Sequence, residues 1–246
     1  MLILPHRWAT GGGALTRYKM RKGIGNTYSD TYSSDHVKGL GHCEWSCKYC
    51  HKNKRFKKVA PHFLSKKAIH ENLGSGRIVF VASGSDICAP NISDHDRRLV
   101  LDHCANYPGN TYWIQTKAPE VLTSKLEFLE HPVWACAYLG TTIETNRDYH
   151  LSLAPSVEQR ADALATAAEY DIRTYVTLEP LVNFDIEALI DLVKRCQPSF
   201  VHIGRNTRRQ VMLLEPARYQ VIELIHRLAE FTTVKVKSNA TIWKLR

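Results

Sequence analysis

Residues 42–51 read His-Cys-Glu-Trp-Ser-Cys-Lys-Tyr-Cys-His and contain three cysteines, Cys43, Cys47 and Cys50. Their spacing is C-x3-C-x2-C, and Tyr49 places an aromatic ring directly before the last cysteine. Four thiolates fill an ordinary iron–sulfur cluster. A [4Fe–4S] cluster on three cysteines would keep one iron open, and we therefore expect a reactive metal centre here.

A structural zinc ion is the alternative, with His42 or His51 completing a set of four ligands. Zinc knuckles usually occur in small folds that depend on the metal, whereas this chain has 246 residues. The remaining cysteines are scattered, which argues against a secreted disulfide framework. We expect them to be buried free thiols. They are Cys88, Cys104, Cys136 and Cys196.

The composition predicts one soluble domain. The chain is 44% hydrophobic, which is sufficient for one core. It contains no run of about 18 apolar residues, the length that a transmembrane helix requires. Its N-terminus has too few apolar residues for a signal peptide. We therefore expect a cytoplasmic monomer without a membrane partner.

From residue 36 onward, short apolar runs alternate with helical patterns. Strands are predicted at 36–40, 77–82, 111–115, 133–143, 174–178, 200–203 and 233–237. Helices are predicted at 65–73, 94–106 with Asp94 as cap, 119–130, 156–170, 185–195 and 216–231. Six βα units of this kind predict a parallel sheet covered by helices, either curled into a barrel or open. We place this domain at 36–240, after an irregular arm at 1–35 that has room for one short strand.

Polar or small residues follow each predicted strand. In parallel α/β folds the carboxyl ends of the strands share one edge, where the functional site lies. We therefore expect one site from residues that are distant in the sequence. They are 83–86, Thr116, Lys117, 141–146, Glu179 and Arg205.

The cysteine run, lying between a first strand and a series of βα units, resembles the signature of the radical S-adenosylmethionine (SAM) superfamily. The later strand ends resemble its spore photoproduct lyase branch, including phage-encoded relatives. The segments that carry this second likeness are Ser83-Gly84-Ser85-Asp86, Thr116-Lys117, Leu139-Gly140-Thr141-Thr142-Ile143-Glu144 and Leu178-Glu179-Pro180. The resemblance spans residues 36–206.

This resemblance implies a partial (β/α)6 barrel and an enzyme of the isomerase or lyase type. Its cofactors would be a [4Fe–4S] cluster and S-adenosylmethionine, which together generate a 5′-deoxyadenosyl radical. It also implies an electron donor such as flavodoxin or ferredoxin. A phage-encoded protein of this type would act in the cytoplasm of the host.

The resemblance also implies roles for single residues. Cys43, Cys47 and Cys50 would ligate three irons. The cofactor would be bound by Tyr49 near the adenine, by Ser83 and Lys117 around the methionine part, and by Thr142 and Glu144 at the ribose. Ser85 is a further candidate for cofactor binding. Glu179 would be a catalytic residue at the rim.

Structural roles remain open for several of these residues. Lys117 is also compatible with a solvated turn, Glu144 with a salt bridge to Arg147 or Lys117, and Glu179 with an ordered turn. Asp86 is compatible with a helix cap.

One position departs from the branch. Spore photoproduct lyase carries a hydrogen-donating cysteine two residues before the serine that matches Ser83, and this chain has Val81 there. We expect Cys88, five residues after Ser83, to pack as an apolar residue.

The charge favours a polyanionic partner. Lys and Arg number 33 against 24 Asp and Glu, a net charge of +9. We predict a DNA or nucleotide substrate, bound through Lys54, Arg55, Lys57, Lys58 and Arg205. Trp45, Phe56 and His62 offer stacking surfaces for a base. The alternatives are a solvated lysine-rich loop, a peptide or metabolite substrate, and a zinc-dependent nucleic-acid-binding protein.

Overall fold

The computed structural model describes residues 21–22, 31–39, 43–50, 59–208 and 211–243. Its strands are β1 (Arg21–Lys22), β2 (Thr31–Ser33), β3 (Val37–Gly39), β4 (His62–Leu64), β5 (Ile78–Val81), β6 (Thr111–Gln115), β7 (Ala137–Thr142), β8 (Thr174–Leu178), β9 (Pro198–Ile203) and β10 (Thr233–Val236). Its helices are α1 (Asp94–Ala105), α2 (Glu120–Thr123), α3 (Leu126–Leu129), α4 (Val157–Glu169), α5 (Ile186–Arg195) and α6 (Arg218–Ala229).

Eight strands form the main sheet, in the order β1-β2-β5-β6-β7-β8-β9-β10. Strand β1 is antiparallel to β2, and the seven strands from β2 onward run parallel to one another. These seven strands curl into a half-barrel. Helices connect the consecutive strands from β5 to β10. This confirms the predicted α/β partial barrel.

The main core lies between the sheet and its helices. Successive side chains of a strand point to opposite faces of a sheet. One set contributes Val79, Ile114, Leu139, Val176 and Val201, each 0% exposed, to a large apolar cluster that includes helix residues. The alternate set lines the concave face of the half-barrel.

Aromatic side chains cover part of the concave face. Trp113, Tyr175 and Phe200 form a second apolar cluster. The rings of Tyr175 and Phe200 stack, with centroids 5.0 Å apart and planes at 20°. Gly140 lies opposite Tyr175 in the ladder, and a Cβ atom there would lie 2.3 Å from the Tyr175 ring. The missing side chain of Gly140 therefore leaves the space that this ring occupies.

We expect Gly140→Ala to lower the free energy of unfolding by about 1–3 kcal/mol, because the added methyl overpacks the Tyr175 ring. Denaturant unfolding measures the effect. In a Tyr175→Leu background the same alanine should cost less, because the ring is gone. Equal costs in both backgrounds would show that the ring is not the obstacle.

The first strand of the main sheet differs from the prediction. The strand expected at 36–40 exists as β3, but it pairs antiparallel with β4 in a separate two-stranded sheet. The strand that starts the parallel series is β2, within the range expected to be an irregular arm. A strand of three residues is too short to show a periodic pattern. The cysteine segment lies between β3 and β4 in the chain.

Two predicted helices are also wrong in detail. Residues 65–73 contain only a 3-10 turn at Ala68–His70, and the chain then passes through Gly74 at φ 67°. The helix expected at 119–130 is divided into α2 and α3, because Lys125 has an extended backbone (φ −133°, ψ 124°).

Smaller differences affect two element starts. Residues 133–135, expected to begin a strand, belong instead to a 3-10 turn at Pro132–Ala135 before β7. The cap of α1 is Ser93 rather than Asp94, and its hydroxyl accepts a hydrogen bond from Asp96 N. The predicted helices at 156–170, 185–195 and 216–231 are confirmed as α4, α5 and α6.

The four scattered cysteines form no disulfide, as expected, although Cys136 is less buried than predicted. Cys88, Cys104 and Cys196 are buried and Cys136 is half-buried. In the part of the chain that the structure describes, no helix has the length and apolar composition required to cross a membrane.

Candidate active site

The cysteine loop, residues 43–50, consists of two tight turns. Ser46 N donates to Cys43 O and Cys50 N donates to Cys47 O, each at 3.0 Å. Cys47 is buried, whereas Cys43 and Cys50 are half-buried. Burial, together with the nearby Asp86, raises the pKa of Cys43 to about 12. Metal binding at this thiol must therefore displace its proton.

The three thiols fit a cluster by their chemistry, since thiolates are the ligands of [4Fe–4S] centres. Within the described ranges, no three His, Cys, Asp or Glu side chains converge on a point where one metal ion would sit. In a four-iron cluster each cysteine binds a different iron, so its three ligands need not converge. The candidate zinc ligands His42 and His51 lie outside the described residues.

Backbone contacts hold the cysteine loop against the segment that follows β7. Lys48 N donates to Leu151 O at 2.9 Å, and Leu153 N donates to Trp45 O at 2.7 Å. The two segments are about a hundred residues apart in the sequence. The loop is therefore positioned by the protein before any cofactor binds.

Asp86 connects the cysteine loop to two strand ends. One carboxylate oxygen accepts from Thr116 Oγ1 at 2.6 Å and from Cys88 N at 2.9 Å. The other accepts from Trp45 Nε1 and from Lys117 N, both at 2.9 Å. Asp86 therefore orients residues that follow β5 and β6 as well as Trp45. It is not the helix cap that the sequence left open.

Glu144, just after β7, is the second carboxylate that connects several residues of the site. It is 2% exposed and accepts from Lys117 Nζ and Tyr49 Oη through Oε1, and from Arg160 Nη1 through Oε2 at 3.0 Å. Burial opposes ionisation, but the charges of Lys117 and Arg160 outweigh it and lower the pKa of Glu144 to about 2. The carboxylate is thus ionised and fixed.

Sequence reasoning expected one of these contacts and missed another. The pair of Glu144 with Lys117 was an expected possibility and is present. A pair of Glu144 with Arg147 is wrong, because Arg147 instead binds Asp185. Arg160 was missed, although a charged residue among the buried residues Ala161 and Leu164 of α4 is itself a signal.

The predicted cofactor-binding hydroxyls occupy different surroundings. Ser83 is half-buried and follows Ala82, whose φ is 53°. Ser85 Oγ lies 2.7 Å from His62 Nδ1. Thr142 Oγ1 accepts from Gln115 Nε2 at 3.0 Å on the concave face. Ser85 and Thr142 therefore already have protein partners.

Glu179 lies on the concave rim at the end of β8, before a cis peptide bond to Pro180. Its carboxylate accepts from Lys237 Nζ and, at 2.7 Å, from Asn239 Nδ2. Gly204 lies between Glu179 and Lys237 in the sheet, and a Cβ atom there would lie 2.6 Å from Glu179 Oε1. The carboxylate and the ammonium group therefore meet across Gly204.

The predicted nucleic-acid contacts are only partly described. Lys54, Arg55, Lys57 and Lys58 lie outside the described residues, as does Phe56. Arg205 is half-buried and donates to Glu215 Oε2 through Nε at 3.0 Å, so its guanidinium already has an acidic partner.

The two described stacking candidates have other roles. His62 is 3% exposed, and the expectation that it offers a stacking surface is wrong. The indole N–H of Trp45 is bonded to Asp86.

The half-barrel resembles solved structures of two enzymes. A cysteine-to-alanine mutant of spore photoproduct lyase with dinucleoside spore photoproduct has a TM-score of 0.64 and 12% identity, over 89% of this chain and 79% of that chain. A double mutant of the same enzyme with bound AdoMet and dinucleoside spore photoproduct has a TM-score of 0.57 and 13% identity, over 89% of this chain and 65% of that chain.

SuiB of Streptococcus suis bound to precursor peptide SuiA has a TM-score of 0.57 and 10% identity, over 83% of this chain and 47% of that chain. No protein-family profile and no curated protein sequence matches the chain. Spore photoproduct lyase and SuiB are both radical SAM enzymes. The likeness confirms the predicted architecture: this chain has the half-barrel fold of the radical SAM enzymes.

Proposed function

We propose that the protein is a radical SAM enzyme that acts on a base of DNA or of a nucleotide. One observation carries the first part of this proposal. A C-x3-C-x2-C loop is fixed at the carboxyl rim of a half-barrel by two buried carboxylates, Asp86 and Glu144. The fold and the loop chemistry together support this function, because neither a structural knuckle nor a plain binding domain needs such a rim.

Cys43, Cys47 and Cys50 would hold the cluster. When bound, a three-cysteine [4Fe–4S] cluster with S-adenosylmethionine supplies an electron that cleaves the sulfonium and yields a 5′-deoxyadenosyl radical for hydrogen abstraction. The protein's part is to orient the reacting groups and to exclude water.

Lys117 and Ser83 would bind the methionine part of the cofactor. An ammonium group suits a carboxylate, and a hydroxyl can donate to the same group. Glu144 holds Lys117 in place through an ion pair. A carboxylate has about four lone-pair positions. Lys117, Tyr49 and Arg160 take three of those on Glu144. A ribose hydroxyl would donate to the fourth, on Oε2, near Thr142.

A nucleic-acid base is the favoured substrate for two reasons. The chain carries a net charge of +9 and a basic segment after its cysteine loop. One similar structure holds a dinucleoside lesion. Glu179, fixed by Lys237 and Asn239, would present a carboxylate to the substrate at the rim.

The expected reaction is a modification or rearrangement rather than direct lesion repair. Val81 stands where spore photoproduct lyase has its hydrogen-donating cysteine, and Cys88 is 1% exposed. An isomerase or lyase step is therefore proposed, with flavodoxin or ferredoxin as electron donor. A peptide substrate is the second candidate, because another similar structure holds a precursor peptide.

Anaerobic reconstitution tests the proposal. Wild-type protein should bind about four irons and four sulfides per chain, absorb near about 400 nm, and release 5′-deoxyadenosine from S-adenosylmethionine when reduced. Deuterium transfer from a labelled oligonucleotide or peptide into that product would identify the substrate class. A colourless protein with stoichiometric zinc would instead establish the zinc-binding alternative.

We predict salt-sensitive DNA binding that depends on the basic segment. Changing Lys54, Arg55, Lys57 and Lys58 together to alanine should weaken binding and reduce the slope of log affinity against log salt by about 3 to 4, roughly 0.9 per lost phosphate contact. Fluorescence anisotropy at several salt concentrations measures this.

The matched control removes four exposed positive charges that lie outside the basic segment. It replaces Arg98, Lys125, Lys194 and Arg195 with alanine. This control has the same change in net charge and should retain most of the affinity. Equal salt slopes for the wild type and the variant with all four basic residues changed would argue against a DNA substrate. The proposed cluster chemistry would not be affected by that result.

A further inference from the structure

Arg208 reaches the cysteine loop from the segment that follows β9. Its Nη1 donates to Cys50 O at 2.8 Å and lies 3.5 Å from Lys48 O. Arg208 follows β9, whereas the cysteine loop is held by contacts to the segments that follow β5 and β7. The contact therefore ties the loop to a third strand end of the half-barrel.

The loop around Arg208 is built to hold it. Asn206 Oδ1 accepts from Arg208 N at 2.9 Å, and Asn206 Nδ2 donates to Arg208 O at 3.0 Å and to Val211 O at 2.7 Å. Val211 N also donates to Arg208 O at 2.9 Å. The Asn206 side chain thus fixes the backbone on both sides of Arg208. This limits the directions in which the Arg208 guanidinium can point.

The charge of Arg208 differs from the other charges that face the loop. Asp86 and Glu144 approach the loop as carboxylates, from the ends of β5 and β7. Lys117 is a cation that shares Glu144 with Arg160, and together with Asp86 these four side chains sum to no net charge. Arg208 donates to backbone carbonyls, which carry no charge that would cancel its own.

We propose that Arg208 is a positioning residue that fixes Cys50 and raises the reduction potential of the cluster. This rests on the proposed function. Reduction adds one negative charge to the cluster, and a nearby positive charge stabilises the product more than the reactant. Net charge, hydrogen bonds and solvent exposure around the ligands are the features that set such potentials. Arg208 provides the charge and one hydrogen bond at the third cysteine.

An EPR-monitored redox titration of reconstituted protein, without S-adenosylmethionine or substrate, tests this. Arg208→Gln keeps a donor and loses the charge, whereas Arg208→Lys keeps the charge. At the potential where half of the wild-type cluster is reduced, the ratio of reduced to oxidised cluster in Arg208→Gln should be lower by about tenfold. This corresponds to a midpoint potential lower by about 59 mV for one electron. Arg208→Lys should titrate close to wild type. Coincident curves for wild type and Arg208→Gln would overturn the electrostatic role.

A second measurement uses metal-free protein. Alkylation of Cys50 by iodoacetamide, followed by mass spectrometry, should be severalfold faster in Arg208→Ala and in Asn206→Ala than in the wild type. Unchanged rates would overturn the positioning role. If wild-type protein holds no four-iron cluster, the proposed function fails; if it holds one and both measurements are unchanged, only the role of Arg208 fails.

Discussion

Cys47→Ala should abolish iron loading and cleavage of S-adenosylmethionine. Cys47 is the most buried of the three candidate ligands, at 7% exposure, and it begins the second of the two turns that shape the loop. A cluster that has lost one of only three thiolates keeps two open irons and is not expected to survive reconstitution. Iron and sulfide analysis and the yield of 5′-deoxyadenosine measure the effect.

Cys136→Ala is the matched control for this experiment. Cys136 is half-buried, outside the loop, and its thiol donates to Val133 O at 3.3 Å. This variant should load as much iron as the wild type. Full iron content and retained cleavage in Cys47→Ala would refute the ligand assignment.

Glu144→Gln should lower the free energy of unfolding by about 3–5 kcal/mol, the usual cost of removing one partner from a buried ion pair. The change leaves Lys117 and Arg160 buried without a counter-charge. It also removes the ionic acceptor for Tyr49, so the cysteine loop should loosen. Denaturant unfolding measures the stability, and cofactor binding should weaken in parallel.

The pH dependence gives a second signature of Glu144. Its pKa in the folded protein, about 2, lies below its ordinary value of 4.5. Its contribution to stability is therefore complete above about pH 4.5 and is lost as the pH falls from there towards 2. Acidification over this range should therefore lower the free energy of unfolding of the wild type. Glu144→Gln should not show this part of the loss.

A surface pair provides the control for Glu144. Asp185→Asn removes the partner of Arg147 in an exposed ion pair and should cost less than about 1 kcal/mol. If Glu144→Gln were no more costly than Asp185→Asn, the buried carboxylate would have no special energetic role.

The sequence predicted those parts of the site that follow from strand ends. Lys117, Glu144 and Glu179 each come after a strand with a clear apolar pattern, so parallel pairing brings them to one rim. The place of β2 in the main sheet was not predicted, because three residues do not establish a period. Residues 65–73 were predicted to be a helix from the spacing of their apolar residues. Only the short 3-10 turn at Ala68–His70 forms there.

The partners of the rim residues were not predictable in the same way. Asp86 was noticed in the sequence, but its bonds to Trp45 and Thr116 depend on loops that meet only in the folded chain. Arg160 reaches Glu144 from α4, and Arg208 reaches Cys50 across 158 positions. Local patterns cannot report such choices, since each requires the register and curvature of the sheet.

The two glycines on the concave face make non-adjacent strands interdependent. Tyr175 Oη lies 3.4 Å from Gln115 Oε1, past Gly140, and Glu179 meets Lys237 past Gly204. A relative that evolves a side chain at either glycine must give up a contact between the flanking strands. We therefore expect the residues at positions 140 and 204 to co-vary, among related proteins, with the pairs of residues that meet past them.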